Sequence, residues 1–408
     1  MKNIFDAIKK ARSNKTIEEN FSQQVRTPII SQHGRIKSKI KIKKWIKVLV
    51  LGLAVLFICM VLLIKFDMNE VAILTDSVLR PVVGDSNVIW LEKIFFNASD
   101  KFKQITFNPN SVTAPQFEGD ASNSGKSNLD LTPLRINNNF KSLAGEGIWQ
   151  NHPLSLFPTQ EVMAVTFVRS DPQRPYSITT LVQMDMSQMK LGSVAGTQQP
   201  GGPVGKPGPG VVPNNIIDSG KLIAAFDGGF QYKDGAYGMI VNNTTYLPLK
   251  NDLGTLVGYK DGTLKIFDYQ GQSLGNNIDF IRQNCPILIN NGEITTTNQR
   301  DKKLWGRLAA GTVDIYTWRS GIGLTAKGNL IFAVGNNLTP ATLAAALKSA
   351  GAVNAIQLDI NPIWVRFNIF EPNGFGKYIS STLTKDLQDG SKQYLNGYQK
   401  DFFYVYKK

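Results

Sequence analysis

The sequence predicts an α+β fold: a mixed or antiparallel sheet domain with flanking helices, preceded by one transmembrane helix. Three observations predict it. Apolar runs of strand length outnumber helical patterns, and the two kinds do not alternate as they would in a parallel α/β sheet. A single run, Val48–Ile64, holds 17 residues without a polar side chain. The basic charge is gathered immediately before that run.

Residues 1–47 carry 13 Lys/Arg against 3 Asp/Glu, so +10 of the formal +14 lies there and the other 361 residues carry only +4. A nucleic-acid partner is therefore not indicated, because the body of the protein is nearly balanced. The run after the arm is about 26 Å long as a helix, just short of a ~30 Å hydrocarbon core. Trp45 and Ile46 can extend it, and Lys47 and Lys65 can reach the interfaces. Arg35, Lys37, Lys39, Lys41, Lys43, Lys44 and Lys47 precede the run, whereas Lys65 alone follows it closely. The positive-inside tendency then places the N-terminus in the cytoplasm and the main domain outside. No small-x-small site follows the run, so a signal anchor is expected rather than a cleaved peptide. The predicted layout is a cytoplasmic arm over 1–47, an anchor over 48–65, a stalk and linker over 66–141, and a domain over 142–408.

Within 66–141, Ser86–Ile105 has helical spacing of apolar residues, and Phe107–Phe140 has a linker composition rich in Asn, Ser, Pro and Gly. Glu161–Val168 and Tyr176–Met184 read as strands around the turn-rich Ser170–Pro175. Thr197–Pro213 is a Gly/Pro loop, either a surface insertion or an active-site flap. Lys221–Phe226 is a strand that delivers Asp227. Tyr259–Asp268 and Leu324–Val334 read as strands or hairpins, with Asp261-Gly262 and Lys327-Gly328-Asn329 as turn residues. Thr339 as N-cap, Pro340 at the first position and Gly351 as stop frame one helix, after which Asn354–Leu358 returns as a strand.

The chemistry available is narrow. After the anchor the only histidine is His152, which argues against a Ser-His-Asp hydrolase or a His-rich zinc site. Phosphate-loop and dinucleotide glycine signatures are absent. No cofactor is named by the sequence and no metal ligands are assigned. Cys59 lies in the anchor and Cys285 has no second cysteine to pair with outside it. What remains is carboxylates, arginines, hydroxyls and backbone amides. Ala225-Phe226-Asp227-Gly228-Gly229-Phe230, Trp318-Arg319-Ser320-Gly321-Ile322-Gly323-Leu324 and Ala355-Ile356-Gln357-Leu358-Asp359 each bring an apolar run to an acid or a base beside small residues. Strand ends are rigid platforms, and glycines beside them allow close approach to the backbone. Carboxylates can serve a glycosidic cleavage, and an arginine can hold a phosphodiester.

These segments resemble the phosphodiester glycosidase family. Its Asn-Gly-Gly-Phe element is similar to Asp227-Gly228-Gly229-Phe230, and its Gly-Pro-Leu-Leu-x-x-x-Gly element to Cys285–Gly292. Its Arg-Thr-Ala-Ile-Gly element resembles Arg319–Gly323, and its helix-then-strand ending in Leu-Asp resembles Leu338–Asp359. Two departures stand out: Asp227 replaces the commoner Asn, and the family's Leu-Asp-Gly-Gly-Gly-Ser becomes Leu358-Asp359-Ile360-Asn361-Pro362-Ile363-Trp364. The resemblance implies a hydrolase that cleaves a sugar from a phosphodiester-linked glycan of the cell envelope or of secreted polysaccharide. It implies Asp359 and Asp227 as catalytic groups, with Arg319, Ser320, Gly228 and Gly229 holding substrate; in the altered loop, Trp364 can instead offer a face for sugar stacking. The alternative is a non-catalytic carbohydrate-binding or polysaccharide-assembly protein on the same fold.

Overall fold

The computed structural model describes residues 97–108, 111–117, 127–295, 302–305, 315–374 and 377–408. The expected anchor at 48–65 lies outside these residues, and among the described ones no helix is long and apolar enough to cross a membrane.

Residues 97–106 form a helix, α1. The next strands are β1 (Gln150–Asn151), β2 (Met163–Val168), β3 (Thr179–Met184) and β4 (Met189–Val194), followed by helix α2 (Asn214–Asp218). Then come β5 (Leu222–Asp227), β6 (Met239–Val241), β7 (Thr244–Leu247), β8 (Leu253–Tyr259), β9 (Leu264–Tyr269) and β10 (Ile278–Gln283). After β11 (Ile289–Asn290) and β12 (Glu293–Ile294) run β13 (Thr317–Thr325), β14 (Leu330–Leu338), helix α3 (Pro340–Ser349) and β15 (Ala352–Ile360). The last elements are β16 (Phe367–Pro372), β17 (Tyr378–Thr382), helix α4 (Ser391–Asn396) and β18 (Phe402–Lys407).

These strands build three sheets, ordered β1-β2-β3-β14-β13-β15-β11-β12, β7-β6-β10-β8-β9 and β17-β16-β5-β18-β4. Every pairing among the described residues is antiparallel. The antiparallel side of the predicted sheet class is therefore the one the chain adopts. Both expected hairpins form: β8 turns into β9 through Asp261-Gly262, and β13 into β14 through Lys327-Gly328-Asn329.

The main core lies where one face of the eight-stranded sheet meets the two smaller sheets. Ile322, Phe332 and Ile356 of the first sheet are buried there with Phe226, Phe367 and Phe403 of the β5 sheet and Leu256 and Phe280 of the β8 sheet. Phe226 stacks on Phe367 at 5.6 Å and touches Phe332 at 5.0 Å. Such aromatic packing leaves little freedom to the next residue, Asp227. The other face of the large sheet is covered by α3. There the Thr339 hydroxyl accepts from the Thr342 amide and the Thr342 hydroxyl accepts from the Thr339 amide, a closed capping box. A Cβ on Gly321 of β13 would press on Leu343 and Leu347 of α3, so that glycine seats the helix rather than a ligand.

The stretch read as stalk and linker contributes more to the domain than its composition foretold. Leu129 is buried in the core under α3, Phe117 packs on the main core, and the Asp130 amide donates to Gln183 at 2.7 Å. Asp100 of α1 accepts two bonds from Arg174, at 2.8 and 2.7 Å.

Candidate active site

Asp227, Ser320 and Asp359 arrive from three strands in two sheets and meet inside the protein. Asp227 ends β5 and is 2% exposed; Ser320 sits in mid-β13, and Asp359 lies near the end of β15. The Ser320 hydroxyl donates to Asp227 Oδ2 at 2.5 Å and accepts from the Asp359 amide at 3.0 Å. The Asp359 amide also lies 3.3 Å from Asp227 Oδ2, and the Arg366 amide donates to Asp227 Oδ1 at 3.0 Å.

A bulge makes this meeting possible. Arg319 pairs with Ile360 and Gly321 with Gln357, so Leu358 and Asp359 together oppose Ser320. The extra residue turns the Asp359 carboxylate, which simple alternation would aim at the α3 side, toward the main core. Asn361 follows in a left-handed conformation, φ 87°, and its side chain accepts from the Ile363 amide at 3.1 Å. Asparagine tolerates that region better than most residues, so it stands where the resembled family carries the second of three glycines.

Three residues not singled out in the sequence complete the cluster. Lys400 pairs with Asp359 Oδ2, and its ammonium also lies 4.8 Å from the Trp364 ring centre. Asp401 binds Arg282, whose Nε donates at 2.8 Å, and accepts from the Gly229 amide at 2.9 Å. Arg282 is fully buried and further donates to the carbonyls of Tyr237, Gln283 and Phe230. A Cβ on Gly228 would overlap Asp401, and one on Gly229 would overlap Arg282. These glycines therefore admit an internal ion pair, a different use from the substrate contact expected of them. Lys400-Asp401 stands directly before the apolar strand Phe402–Tyr406, the reverse of the run that ends on Asp227, so the same search of strand margins, made at both ends, would have found it.

Arg319 is placed differently from its expected role. Its guanidinium is buried and donates to the carbonyls of Leu338, Trp305 and Ile315 and to Gln357 Oε1 at 2.9 Å. Strand alternation puts it on the face opposite Ser320, where it ties backbone segments together. Trp364 is half-buried, with Lys400 against its ring.

Burial sets the electrostatics. It pushes the Asp227 carboxyl up to about 7, against the lowering effect of the bonds from Ser320 and Arg366 and of the Lys400 charge. Burial likewise pulls the Lys400 ammonium down to about 8, opposed by Asp401 and Asp227. The Cys285 thiol is pushed up to about 12 by burial and is chemically quiet. A cavity of about 510 Å³ adjoins β13, walled by Tyr176, Trp318, Asn336, Thr384 and Lys385. Trp318 and Ser320 share one face of that strand.

Residues 220–359 match the family model of phosphodiester glycosidases. The chain carries a phosphodiester-glycosidase-like domain. The catalytic domain of zebrafish N-acetylglucosamine-1-phosphodiester alpha-N-acetylglucosaminidase is similar at 13% identity, over 60% of this chain and 83% of that one, with a TM-score of 0.38. A hypothetical protein from Synechocystis is similar at 11% identity, over 61% of this chain and 63% of that one, with a TM-score of 0.33. Curated proteins give no match. The matched part of the glycosidase-like domain contains Asp227, Arg282, Ser320 and Asp359, while Arg366, Lys400 and Asp401 lie beyond it.

Proposed function

We propose that this protein is a membrane-anchored, extracytoplasmic hydrolase that cleaves a sugar from a phosphodiester-linked glycan of the cell envelope or of secreted polysaccharide. The observation that carries the proposal is the convergence of Asp227, Ser320 and Asp359 on one buried hydrogen-bonded cluster. A glycosidic bond to phosphate already has a good leaving group, so the demand on the acid is modest and the demand on charge stabilisation is larger. In this reading Asp227, raised to about 7, holds a proton near neutrality and gives it to the departing oxygen. Asp359, fixed by Lys400 and the Ile360 amide, supplies negative charge to the cationic sugar. Tyr176 and Trp318 offer aromatic faces to a saccharide in the cavity beside β13, although Asp227, Ser320 and Asp359 do not line it. The anchor at 48–65, with the arm inside and residues 142–408 outside, follows from charge and hydropathy.

The test is product analysis with the full-length protein and a panel of sugar-1-phosphodiesters. Release of free sugar, lost in Asp359→Asn, is the expected result. A reporter active only outside the cytoplasm should work after Lys408 and fail before Lys2; the opposite pattern rejects the anchor orientation.

A second reading is favoured by one observation: Asp359 is 3% exposed and already carries a buried cation, with Trp364 against that cation. That is how a structural ion pair looks, and it fits a carbohydrate-binding or assembly role. Absence of sugar release, with polysaccharide retained equally by wild type and Asp359→Asn, selects this reading.

A further inference from the structure

Arg366 is the residue before β16, and its backbone is locked to Asp227. The Asp227 amide donates to the Arg366 carbonyl at 3.2 Å, and the Arg366 amide returns a bond to the Asp227 carboxylate at 3.0 Å. The residue is 6% exposed, yet neither Nε nor Nη1 has a hydrogen-bond partner among the described residues. Nη2 reaches Gln388 Oε1 at 3.5 Å, the far limit of a bond. A guanidinium carries five donors in a rigid fork, and burying them unmatched is far costlier than a net hydrogen bond is favourable. The contrast with its neighbours is direct, since Arg282 and Arg319 are each surrounded by acceptors.

Two phenols stand beside this fork with the same deficit. The Arg366 guanidinium carbon lies 5.3 Å from the Tyr398 ring centre, and Tyr394 meets Tyr398 edge-on at 5.8 Å. Neither hydroxyl has a partner among the described residues, although Tyr394 is fully buried and Tyr398 is 6% exposed. The nearby carboxylate of Asp389 feels the Arg366 charge but accepts its hydrogen bonds elsewhere: its Oδ1 takes the Asn368 side chain at 2.7 Å and the Ser391 amide at 2.8 Å. Tyr398 is held in place by its own backbone, which donates to the Gly210 carbonyl at 2.7 Å and accepts from the Thr197 amide at 3.0 Å. The Gly/Pro loop thus braces this corner.

We propose that Arg366, Tyr398 and Tyr394 form an oxyanion site beside Asp227 that takes a phosphate group. A planar fork with two hydroxyl donors matches a tetrahedral anion, and arginine is suited to binding phosphate by paired N–H bonds. The assignment of that phosphate to a phosphodiester substrate rests on the hydrolase reading above; the site itself does not. All three residues lie outside the matched stretch 220–359.

The experiment is a calorimetric titration of the full-length protein, purified in detergent, with inorganic phosphate and separately with dimethyl phosphate at constant ionic strength. Wild type and Asp359→Asn should bind saturably. Arg366→Gln should weaken binding at least about tenfold, the loss of one charge-assisted contact, with Arg366→Lys in between. Tyr398→Phe, which removes only a hydroxyl, should weaken it about threefold or more and decides the matter if Arg366→Gln does not fold. Binding of dimethyl phosphate identifies a diester site; binding of inorganic phosphate alone identifies a free-phosphate site on the same residues. Absence of saturable binding by the wild type, or equal binding by Arg366→Gln or Tyr398→Phe, overturns the proposal. If phosphate binds through Arg366 while no diester is cleaved, the hydrolase reading fails and the anion site stands.

Discussion

Two buried charge clusters in this protein are built on opposite logic. At the α1 margin, Arg174 donates twice to Asp100 and once to Asp171, at 3.2 Å, and its guanidinium lies 3.4 Å from the Tyr316 ring centre. Each donor group of the cation meets a carboxylate, and Tyr176 adds its hydroxyl to Asp100 at 3.0 Å. At the junction of β5, β13 and β15, Asp227 receives only neutral donors, from Ser320 and from the Arg366 and Asp359 amides. The matched cluster has no reason to exchange a proton. The mismatched one does, because burial penalises its ionised form by more than its neutral donors and the Lys400 charge repay. Matched charge fastens the N-terminal segment; a carboxyl raised by burial is the kind of group that proton transfer requires.

The comparison can be broken most severely at Asp359. Asp359→Asn should lower sugar release by several orders of magnitude in initial-rate assays, since the charge opposite a cationic sugar is lost. It should also lower the melting temperature, because Lys400 loses its buried partner. The double variant Asp359→Asn/Lys400→Met should regain the stability and not the activity. Recovery of both would make the cluster structural throughout.

Next in size is the Arg282–Asp401 pair. Asp401→Ala leaves a buried guanidinium uncompensated and should cost about 3–5 kcal/mol in urea unfolding. Arg319→Met should cost roughly 2–3 kcal/mol, through the orphaned acceptors around it, with phosphate binding unchanged. A phosphate-binding defect in that variant would return Arg319 to the substrate role first expected of it.

A pH series sharpens the contrast further. The native Asp227 carboxyl keeps its proton up to about 7, whereas the unfolded chain releases it near ~3.9. Between those values the folded state binds more protons, so the stability contribution falls as pH rises and is fully present only at the acid end. Asp227→Asn should flatten that decline in melting temperature. With Asp227 as the acid, activity should also fall as pH rises through about 7. Lys400, lowered to about 8, has the opposite slope at higher pH: its penalty is relieved between there and its unfolded value. The smallest effect belongs to the matched cluster. Asp100→Asn should cost about 1 kcal/mol or less and leave the pH profile unchanged, because Arg174 keeps Asp171.

Local signals in the sequence carried the fold well. Asp261-Gly262 and Lys327-Gly328-Asn329 make their hairpins through turn chemistry alone, and Thr339-Pro340 starts its helix by capping. Asp227 and Asp359 were visible as strand-margin acids for the same reason. What stayed hidden depends on contacts between distant residues. Arg282 and Asp401 are 119 positions apart, and no local pattern pairs them. The layer that Arg319 meets is hidden too, because an arginine before a serine looks equally functional on either face of a strand, and only the packing of α3 shows which one it takes. The glycines after Asp227 were recognised as places of close approach, yet nothing in their spacing told a ligand from Asp401. Residues 111–117 and 127–140 looked like linker because their few apolar residues, Leu129 and Phe117 among them, are spaced too widely to show a period.

The bulge at Ser320 turns strand β15 into a two-phase carrier. Upstream of it, Gln357 keeps the beat of the α3 side and supports Arg319; downstream, Asp359 has slipped half a period and serves the opposite layer. Phase is counted in whole residues, so a length change here acts as an all-or-none switch. Removing Ile360 would restore a regular ladder, set Asp359 opposite Arg319 and swing the carboxylate toward the helix, leaving the lysine behind. Length at this point is therefore more constrained than side-chain identity. Substitutions at Ile360 or Ile363 leave the count intact, whereas loss of Ile360 separates the two halves of the cluster with every one of their residues still present.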